Sequence, residues 1–382
     1  MSPLFRVVFN TNRAGHYGTR RLFFDNLASD FRDLGAHVEV DNWQEYEKFD
    51  VAILLCQDFF TQTAREKNPN ILVGIVHPSD ITPALVKETE NADFIISGSL
   101  EERDYYLKYN PNIFVIHHIE QEWHLYKQHI EKDEVILGYH GNKDHLEQFY
   151  PNLAPALEAL LKEYPIRLIA VYNIRELGFW EAGRPDIPIS DVQWEYHTLG
   201  KKLLECDIGL VPSLAPIPES MKVQTFQRLL GVDSEQFGRL PNDYLLRFKN
   251  STNAGRAFVF MQLGIPVVAD MTPECCQVLH HARTGFLAHS AAGWYDAIKR
   301  LIRSSQLRQE IAENARALFC ERFQRKQIAK YLIEQIATLL ERKQRGASTP
   351  RIHINVLQYE YDSGNTLKSL WQALLHRLRE KL

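Results

Sequence analysis

The chain has 382 residues, of which 45% are hydrophobic and 24% charged, and its formal net charge is −4. This composition is typical of a globular protein of two domains, and the lack of a basic excess argues against a nucleic-acid partner. Five cysteines, an odd number without C-x-x-C spacing, favour a reducing compartment over a disulfide framework. The opening MSPLFRVVFN predicts a strand rather than a signal peptide, and no apolar run approaches the ~18 residues of a membrane span. We therefore expect a cytoplasmic protein.

Short apolar runs alternate with helical patterns through the first third of the chain. The clearest helix is 19–34, where apolar residues recur at helical spacing. Continuous apolar strands joined by helices predict a parallel sheet covered on both faces. The predicted strands are residues 5–10, 37–41, 51–56, 71–77, 94–97 and 113–117.

The alternation restarts after a polar connector at 120–132, which we predict to be helical. Two successive α/β units predict two Rossmann-like open-sheet domains that face a central cleft. We place the domains at 1–125 and 126–345, followed by a linker and terminal helix at 346–382. The second set of predicted strands is 135–139, 167–171, 208–212, 266–269 and 286–288, and the predicted helices are 145–163, 198–205, 253–263 and 293–302.

The first turn between a strand and a helix, at 12–19, contains Gly15 and Gly18. Glycines there let the backbone come close to a ligand, although a tight turn without a ligand has the same pattern. The turn lacks a full G-x-G-x-x-G, and Asp41 is an ambiguous match for the acidic residue of a dinucleotide site. A nicotinamide dehydrogenase is therefore disfavoured.

His77 and Asp80 follow the fourth predicted strand at its carboxyl end, in the sequence H-P-S-D. Open α/β sheets present side chains to ligands at this edge. A histidine or aspartate in this place is suited to moving a proton or stabilising a leaving group, so both are candidate catalytic residues. Capping of the next helix is an equally simple role for Asp80.

A second glycine-containing turn, Gly138 to Asn142, follows the first strand of the second domain. Tyr139, His140 and Asn142 are candidate ligand contacts, because they too lie at the carboxyl end of a strand. The histidines of the chain do not show the spacing of metal ligands, so we expect no metal site.

The most informative stretch is 249–270, KNSTNAGRAFVFMQLGIPVVAD, which predicts a polar loop, a helix and a short strand. Asn253, Gly255 and Arg256 place unpaired N–H groups, the positive end of the helix dipole and a cation together. This combination suits an anion such as a diphosphate. Lys249 adds a second cation, and the T-P-E loop with Thr272 and Glu274 follows the strand.

The order of these motifs resembles the donor-binding half of GT-B glycosyltransferases, in particular the large retaining glycosyltransferase family 4 (group 1). There a loop and helix bearing Lys or Arg lead into G-x-P-V-V-A and later T-G-F-L, as at 264–269 and 284–287 here, and C-D-I-G-L-x-P matches 206–212. The resemblance covers about 5–340. Many members carry two glutamates eight positions apart, for which this chain has Ser251 and Val259. Glu274 is the nearest substitute for holding a ribose or sugar hydroxyl.

The resemblance implies a transferase that moves a sugar from a nucleotide-sugar to a glycan, lipid-linked or other hydroxyl acceptor, with retention, as in polysaccharide biosynthesis. The first domain would take the acceptor and the second the donor, with the nucleotide-sugar as co-substrate and no cofactor or metal. The implied catalytic residues are His77, Asp80 and Arg256, and the implied donor-binding residues are Gly15, Gly18, Tyr139, His140, Asn142, Lys249, Asn253, Gly255, Arg256, Thr272 and Glu274.

Two segments are additional to the smallest form of this fold. One is an insertion at 213–248, and the other is a predicted terminal helix at 366–382 with an apolar stripe and flanking cations. The terminal helix is typical of packing on the body of the protein, and it leaves open peripheral membrane contact or dimerisation. Two other functions also stay open, a nucleotide-sugar epimerase and a non-catalytic sugar- or nucleotide-binding subunit.

Overall fold

The computed structural model describes residues 4–12, 18–55, 61–78, 83–117, 119–120, 122–150, 152–213 and 254–347. Several predictions lie outside these residues: the roles of Gly15, Asp80, Lys249 and Asn253, the insertion beyond Ser213, and the terminal helix. Within the described ranges the strands form two parallel six-stranded sheets. The predicted fold class is therefore confirmed.

The first sheet has the order β2-β1-β3-β4-β5-β6, so that the strand order reverses beside β1. Its central strands β3, β4 and β5 are buried on both faces, as parallel sheets covered by helices require, whereas the edge strands β2 and β6 are only partly buried. The strands are β1 (Arg6–Asn10), β2 (His37–Val40), β3 (Val51–Leu55), β4 (Leu72–Val76), β5 (Phe94–Ser97) and β6 (Ile113–Val115).

Helices connect these strands, and the first of them contains a π-helical turn at Arg21–Asp25 between two α-helical parts. Its buried face carries Phe24 and Phe31, which pack edge-on against Phe9 of β1. The α-helices of this half are α1 (Gly18–Arg20), α2 (Asn26–Asp33), α3 (Thr61–Lys67), α4 (Pro83–Asn91) and α5 (Leu100–Tyr106), with a 3-10 turn at Tyr46–Lys48.

The second sheet has the order β12-β11-β10-β7-β8-β9, so that its reversal lies between β7 and β10. Its strands are β7 (Val135–His140), β8 (Ile166–Tyr172), β9 (Ile189–Gln193), β10 (Ile208–Val211), β11 (Val267–Asp270) and β12 (Phe286–Ala288). The edge strand β9 was not predicted, because its sequence ISDVQ mixes polar and apolar residues and is only partly buried.

The helices of the second half include one that differs from its prediction. The expected helix at 145–163 is a 3-10 turn at Lys143–Phe149 followed by a separate helix, and the sequence has Pro151 between them. No described helix is both long and apolar enough to cross a bilayer. The helices are α6 (Leu153–Leu161), α7 (Ile174–Leu177), α8 (Leu199–Leu203), α9 (Gly255–Leu263), α10 (Pro273–Val278), α11 (Ala291–Ile302), α12 (Ser305–Arg322) and α13 (Arg325–Gln344).

Helix α13 returns to the first half of the molecule. Its buried residues Leu332 and Ile336 belong to the same apolar core as Phe31 of α2. At its start, the Arg325 guanidinium donates to both carboxylate oxygens of Asp30, at 3.0 and 2.9 Å. The predicted boundary at 345 assigns this helix to the second domain, whereas its side chains complete the first core.

The predicted helix at 120–132 is wrong: the described residues of this connector form no helix. The segment instead lies along the second domain, and its backbone and side chains form hydrogen bonds with residues of that domain. Lys127 N donates to Leu263 O at 2.9 Å, and His129 Nε2 lies 2.8 Å from Gly264 O. Gly264 has φ 68°, and a Cβ there would lie 2.3 Å from the Tyr126 ring. These contacts replace the hydrogen bonds of a helix.

The carboxyl edges of the two sheets face each other through α5 and α10, which follow β5 and β11 respectively. The side chain of Gln277 on α10 donates to Glu101 Oε2 at 2.9 Å and accepts from Leu100 N at 3.2 Å. A second contact joins the domains where the Arg21 guanidinium lies over the Trp194 ring, 4.6 Å from its centre. Two contacts therefore join the two halves of the molecule.

Candidate functional site

The second sheet reverses its strand order between β7 and β10, and open α/β sheets bind ligands beyond the carboxyl ends of the strands at such a point. Here β7 leads into Gly141 and Asn142, and β10 leads into Ser213. Helix α9 begins beside them at Gly255. Four of the predicted donor contacts thus lie close to the ends of β7 and β10, at one crevice. They are His140, Asn142, Gly255 and Arg256.

Arg256 brings a positive charge to this crevice. One guanidinium nitrogen, Nη2, donates to Ser213 Oγ at 3.0 Å, and the guanidinium carbon lies 5.7 Å from the centre of the Tyr139 ring. The other terminal nitrogen, Nη1, is buried and has no hydrogen-bond partner among the described residues. A partly buried guanidinium with a buried donor nitrogen, at the first turn of a helix, is suited to an anionic ligand.

His140 holds the start of α9 rather than pointing to open space. Its Nε2–H donates to the carbonyl oxygen of Arg256 at 3.1 Å, and the side chain is buried. Burial lowers the pKa of His140 to about 4, so the imidazole is neutral at pH 7. The predicted ligand contact is therefore placed to fix the backbone that carries Arg256.

Gly141 allows this close approach. Its φ of 148° lies in a region that side-chain-bearing residues rarely adopt, and a Cβ would lie 2.9 Å from Tyr139 Oη and 3.1 Å from Arg256 Cδ. The Tyr139 hydroxyl donates to the carbonyl oxygen of Asn142 at 2.9 Å, which fixes the turn. The buried Tyr139 thus supports the turn through its hydroxyl, and Asn142 is exposed at its tip.

Asp270 was not predicted as a site residue, and the structure gives it a supporting role. Its Oδ2 accepts from Ser213 N at 2.6 Å, and its Oδ1 accepts from Trp294 Nε1 at 3.0 Å. The buried carboxylate therefore positions Ser213, the partner of Arg256. Its place directly after the apolar strand, in V-V-A-D, is the signal that could have revealed it.

Thr272 and Glu274 lie at the start of α10, and both are buried. Burial raises the pKa of the neighbouring Cys275 thiol, and the Glu274 carboxylate raises it further, whereas Arg256 lowers it. Glu274 and Arg256 therefore lie within electrostatic reach of the same thiol. The T-P-E loop follows β11, which pairs with β10, so the loop and Ser213 lie at the ends of neighbouring strands.

In the first domain, Gly18 opens α1 at the carboxyl edge of the first sheet. A Cβ at Gly18 would meet only Arg21 Nη2, at 3.9 Å, which is ordinary contact. The structure therefore shows no steric requirement for glycine at this position, in contrast to Gly141.

His77 lies directly after β4, buried, with a φ of 47°. Its ring stacks on Phe23 with 4.6 Å between the ring centres, and its Nδ1 lies 3.1 Å from Glu102 Oε1. Glu102 is 2% exposed and was not predicted from the sequence. The structure thus places His77 in the first domain, at the sheet edge that faces the second, and Arg256 at the opposite edge.

No protein-family model matches the chain, and a sequence search finds no similar curated protein. The structure, in contrast, is similar to those of several transferases. Sucrose-phosphate synthase from Thermosynechococcus elongatus is 13% identical with a TM-score of 0.59, over 88% of this chain and 99% of that one. A glycosyltransferase from Rickettsia africae is 12% identical with a TM-score of 0.59, over 88% and 99%.

Anabaena HepE, solved in complex with UDP and glucose, is 13% identical with a TM-score of 0.55, over 87% of this chain and 100% of that one. In each case nearly the whole of the similar chain is matched, so both domains and their connection take part. Together with the two parallel sheets and their facing carboxyl edges, these similarities show that the chain has the GT-B fold.

Proposed function

We propose that this protein is a glycosyltransferase that moves a sugar from a nucleotide-sugar to a hydroxyl group of a glycan or lipid-linked acceptor. The observation that carries the proposal is the partly buried Arg256 guanidinium, which Ser213 and the Tyr139 ring hold at the switch point of the second sheet. Its Nη1 donor capacity and the start of α9 suit the diphosphate of the donor. HepE, of the same fold, has been solved with UDP-glucose.

The proposed reaction needs no protein nucleophile. The acceptor oxygen attacks the anomeric carbon on the same face that the diphosphate leaves, the bond from that carbon to the diphosphate oxygen breaks, and its electron pair stays on the diphosphate. Arg256 neutralises the negative charge that develops there, which is electrostatic stabilisation combined with positioning. The acceptor hydroxyl proton passes to His77. Lys249 and Asn253, by their place in the sequence before α9, are proposed to contact the same diphosphate.

Three finer features belong to the same proposal. Transfer proceeds with retention, as the resemblance to the large retaining family implies, and it requires no divalent metal ion, because the chain contains no D-x-D pair. Thr272 and Glu274 hold hydroxyl groups of the donor, since their loop follows β11, whose Asp270 binds Ser213 beside Arg256. The anomeric configuration of the product tests the first feature, and activity in excess EDTA tests the second.

The deciding experiment is a panel of UDP-, GDP- and ADP-sugars, assayed for nucleotide release with water, glycans and lipid-linked glycans as acceptors. Release from at least one donor, dependent on an acceptor, is the expected result. Binding of a nucleotide-sugar without release would replace the proposal by the non-catalytic binding subunit. Neither binding nor release with any donor would overturn nucleotide-sugar recognition altogether.

A further inference from the structure

A buried carboxylate faces the proposed base of the first domain. The left-handed backbone of His77, with φ 47°, ends β4 abruptly, and the ring stacks on Phe23. This arrangement fixes the imidazole plane and leaves Nδ1 3.1 Å from Glu102 Oε1. The two side chains are 7% and 2% exposed, so the pair is largely shielded from water.

Glu102 is itself held in place by the backbone around it. Its second oxygen, Oε2, accepts from Gly98 N at 2.7 Å, and its own N–H donates to Ser99 Oγ at 3.3 Å. Ser99 is the N-cap of α5 and Glu102 lies three residues later, as in a capping box, but the carboxylate accepts from the N–H of Gly98 rather than from that of Ser99. One carboxylate oxygen is therefore occupied by the N–H of Gly98. The other lies beside His77 Nδ1, and neither of these two buried atoms has a hydrogen-bond partner among the described residues.

The same turn of α5 lies at the cleft between the domains. Glu101, next to Glu102, accepts from Gln277 Nε2 at 2.9 Å, and Gln277 belongs to α10 of the second domain. Helix α10 begins with the loop that contains Thr272 and Glu274. The His77–Glu102 pair is thus one residue away from a contact with the donor side of the proposed site.

We propose that Glu102 is a positioning residue for His77. A carboxylate oxygen beside Nδ1 favours a proton on that nitrogen, which leaves Nε2 as the atom able to accept a proton. In the transfer reaction, Nε2 then receives the proton of the acceptor hydroxyl. This inference rests on the proposed function for its chemistry, whereas the tautomer of His77 does not depend on any substrate.

The first test is therefore made without substrate. Protein labelled with ¹⁵N-histidine is examined by NMR at neutral pH, and the His77 signals are assigned by their loss in His77→Gln. We expect an Nδ1–H tautomer in the unaltered protein and its loss in Glu102→Gln. Asp104→Asn removes the same charge from an exposed position of α5 and should leave the His77 signals unchanged. A His77 spectrum that is the same in Glu102→Gln would overturn the inference.

The second test is a kinetic double-mutant cycle with the donor and acceptor found active. Glu102→Gln should lower kcat by about 10²-fold with little change in the donor KM, since the donor is held in the other domain. In a His77→Ala background the same change should have no further effect on kcat. An equal loss in both backgrounds would show that Glu102 supports the fold rather than His77, and would overturn the inference.

The two tests separate this inference from the proposed function. If no donor is turned over, the proposed function fails and the NMR result alone decides the His77–Glu102 relation. If transfer is observed but the cycle shows independent effects, the proposed function stands and the positioning role fails.

Discussion

The two sheet edges that border the cleft hold their key side chains by different means. At the edge of the second sheet, a cation, Arg256, donates to the neutral hydroxyl of Ser213 and is backed by a neutral, buried His140. At the edge of the first, His77 lies against a buried carboxylate, Glu102. The second edge therefore presents a cation, with the carboxylates of Asp270 and Glu274 nearby, whereas the proposed base of the first edge lies beside a carboxylate of its own domain. This is the division expected between a diphosphate site and a hydroxyl site.

The largest expected effect is the loss of the cation from the second edge. Arg256→Ala should reduce kcat/KM by ~10²-fold or more, since a lost contact to a developing anion costs roughly 3 kcal/mol. Steady-state kinetics with the active donor measures it. Arg175→Ala, which removes an exposed cation elsewhere in the same domain, is the matched control. If the two variants have the same kcat/KM, Arg256 does not belong to the site.

The next effect concerns Gly141, whose lack of a side chain allows Tyr139 and Arg256 to pack closely against the turn. Gly141→Ala should destabilise the protein by about 1–3 kcal/mol, because the substitution combines an unfavourable φ with contacts of 2.9 and 3.1 Å. It should also weaken donor binding by displacing Arg256. Chemical denaturation and donor titration measure the two effects. Unchanged stability together with unchanged donor affinity would contradict the close packing of Gly141 against Tyr139 and Arg256.

Acid should act on three histidines: His140 at the second edge, His129 of the connector, and the partly buried His117 after β6. Burial lowers the pKa of His117, His129 and His140 to about 4 each, from an ordinary value of 6.5. The unfolded chain therefore binds more protons than the folded protein below pH 6.5. Stability is full above that pH and is lost as the pH falls towards 4, by roughly 1 kcal/mol per pH unit for each histidine.

Thermal unfolding between pH 7.5 and 4.5 measures this loss, and His140→Gln removes one of the three contributions. The variant should start from a lower stability, because the buried contact to the Arg256 carbonyl is altered, but should show a shallower slope between pH 6.5 and 4.5. An unchanged slope would mean that His140 is protonated in the folded protein.

The smallest effect is expected at the glycine of the first edge. Gly18→Ala should raise stability by up to about 1 kcal/mol, since a Cβ there meets only ordinary contact and alanine restricts the unfolded chain. Donor affinity should not change if the first edge takes the acceptor. Donor affinity is measured for Gly18→Ala and Gly141→Ala in parallel. A loss of donor affinity in Gly18→Ala would show that the first edge also contributes to donor binding.

Much of the fold was readable because its strands are short apolar runs bounded by polar residues. Predicted and observed strand limits agree within two residues for β1 to β8 and β10 to β12. The edge strand β9 was missed because partial burial leaves it without a continuous apolar run. The connector at 120–132 was predicted wrongly because its residues obtain their partners from α9, α12 and the turn at Gly264, which local sequence does not reveal.

The candidate site was readable only in part, for a similar reason. Arg256 stands at a helix start in a distinctive string, so its place could be predicted, although its roles in binding and catalysis stay predictions. Asp270 and Glu102 act through contacts with residues 57 and 25 positions away in the chain, Ser213 and His77. Such pairings depend on how strands and helices are ordered in space. The position of His140 at the end of a strand could be recognised in the sequence. Its burial against the Arg256 carbonyl depends on tertiary packing, which the sequence does not reveal.

The return of α13 to the first core has a consequence for how the chain is made. Leu332 and Ile336 fill the apolar face beside Phe31, so a ribosome that has released the first six strands has not yet supplied the helix that covers them. The roughly 200 residues in between take on the order of 10–40 s to synthesise at ordinary rates. During that time the face under α13 is open to the surroundings. The second sheet has its own covering helices earlier in the chain, so it is expected to reach a closed core first, although it is translated second.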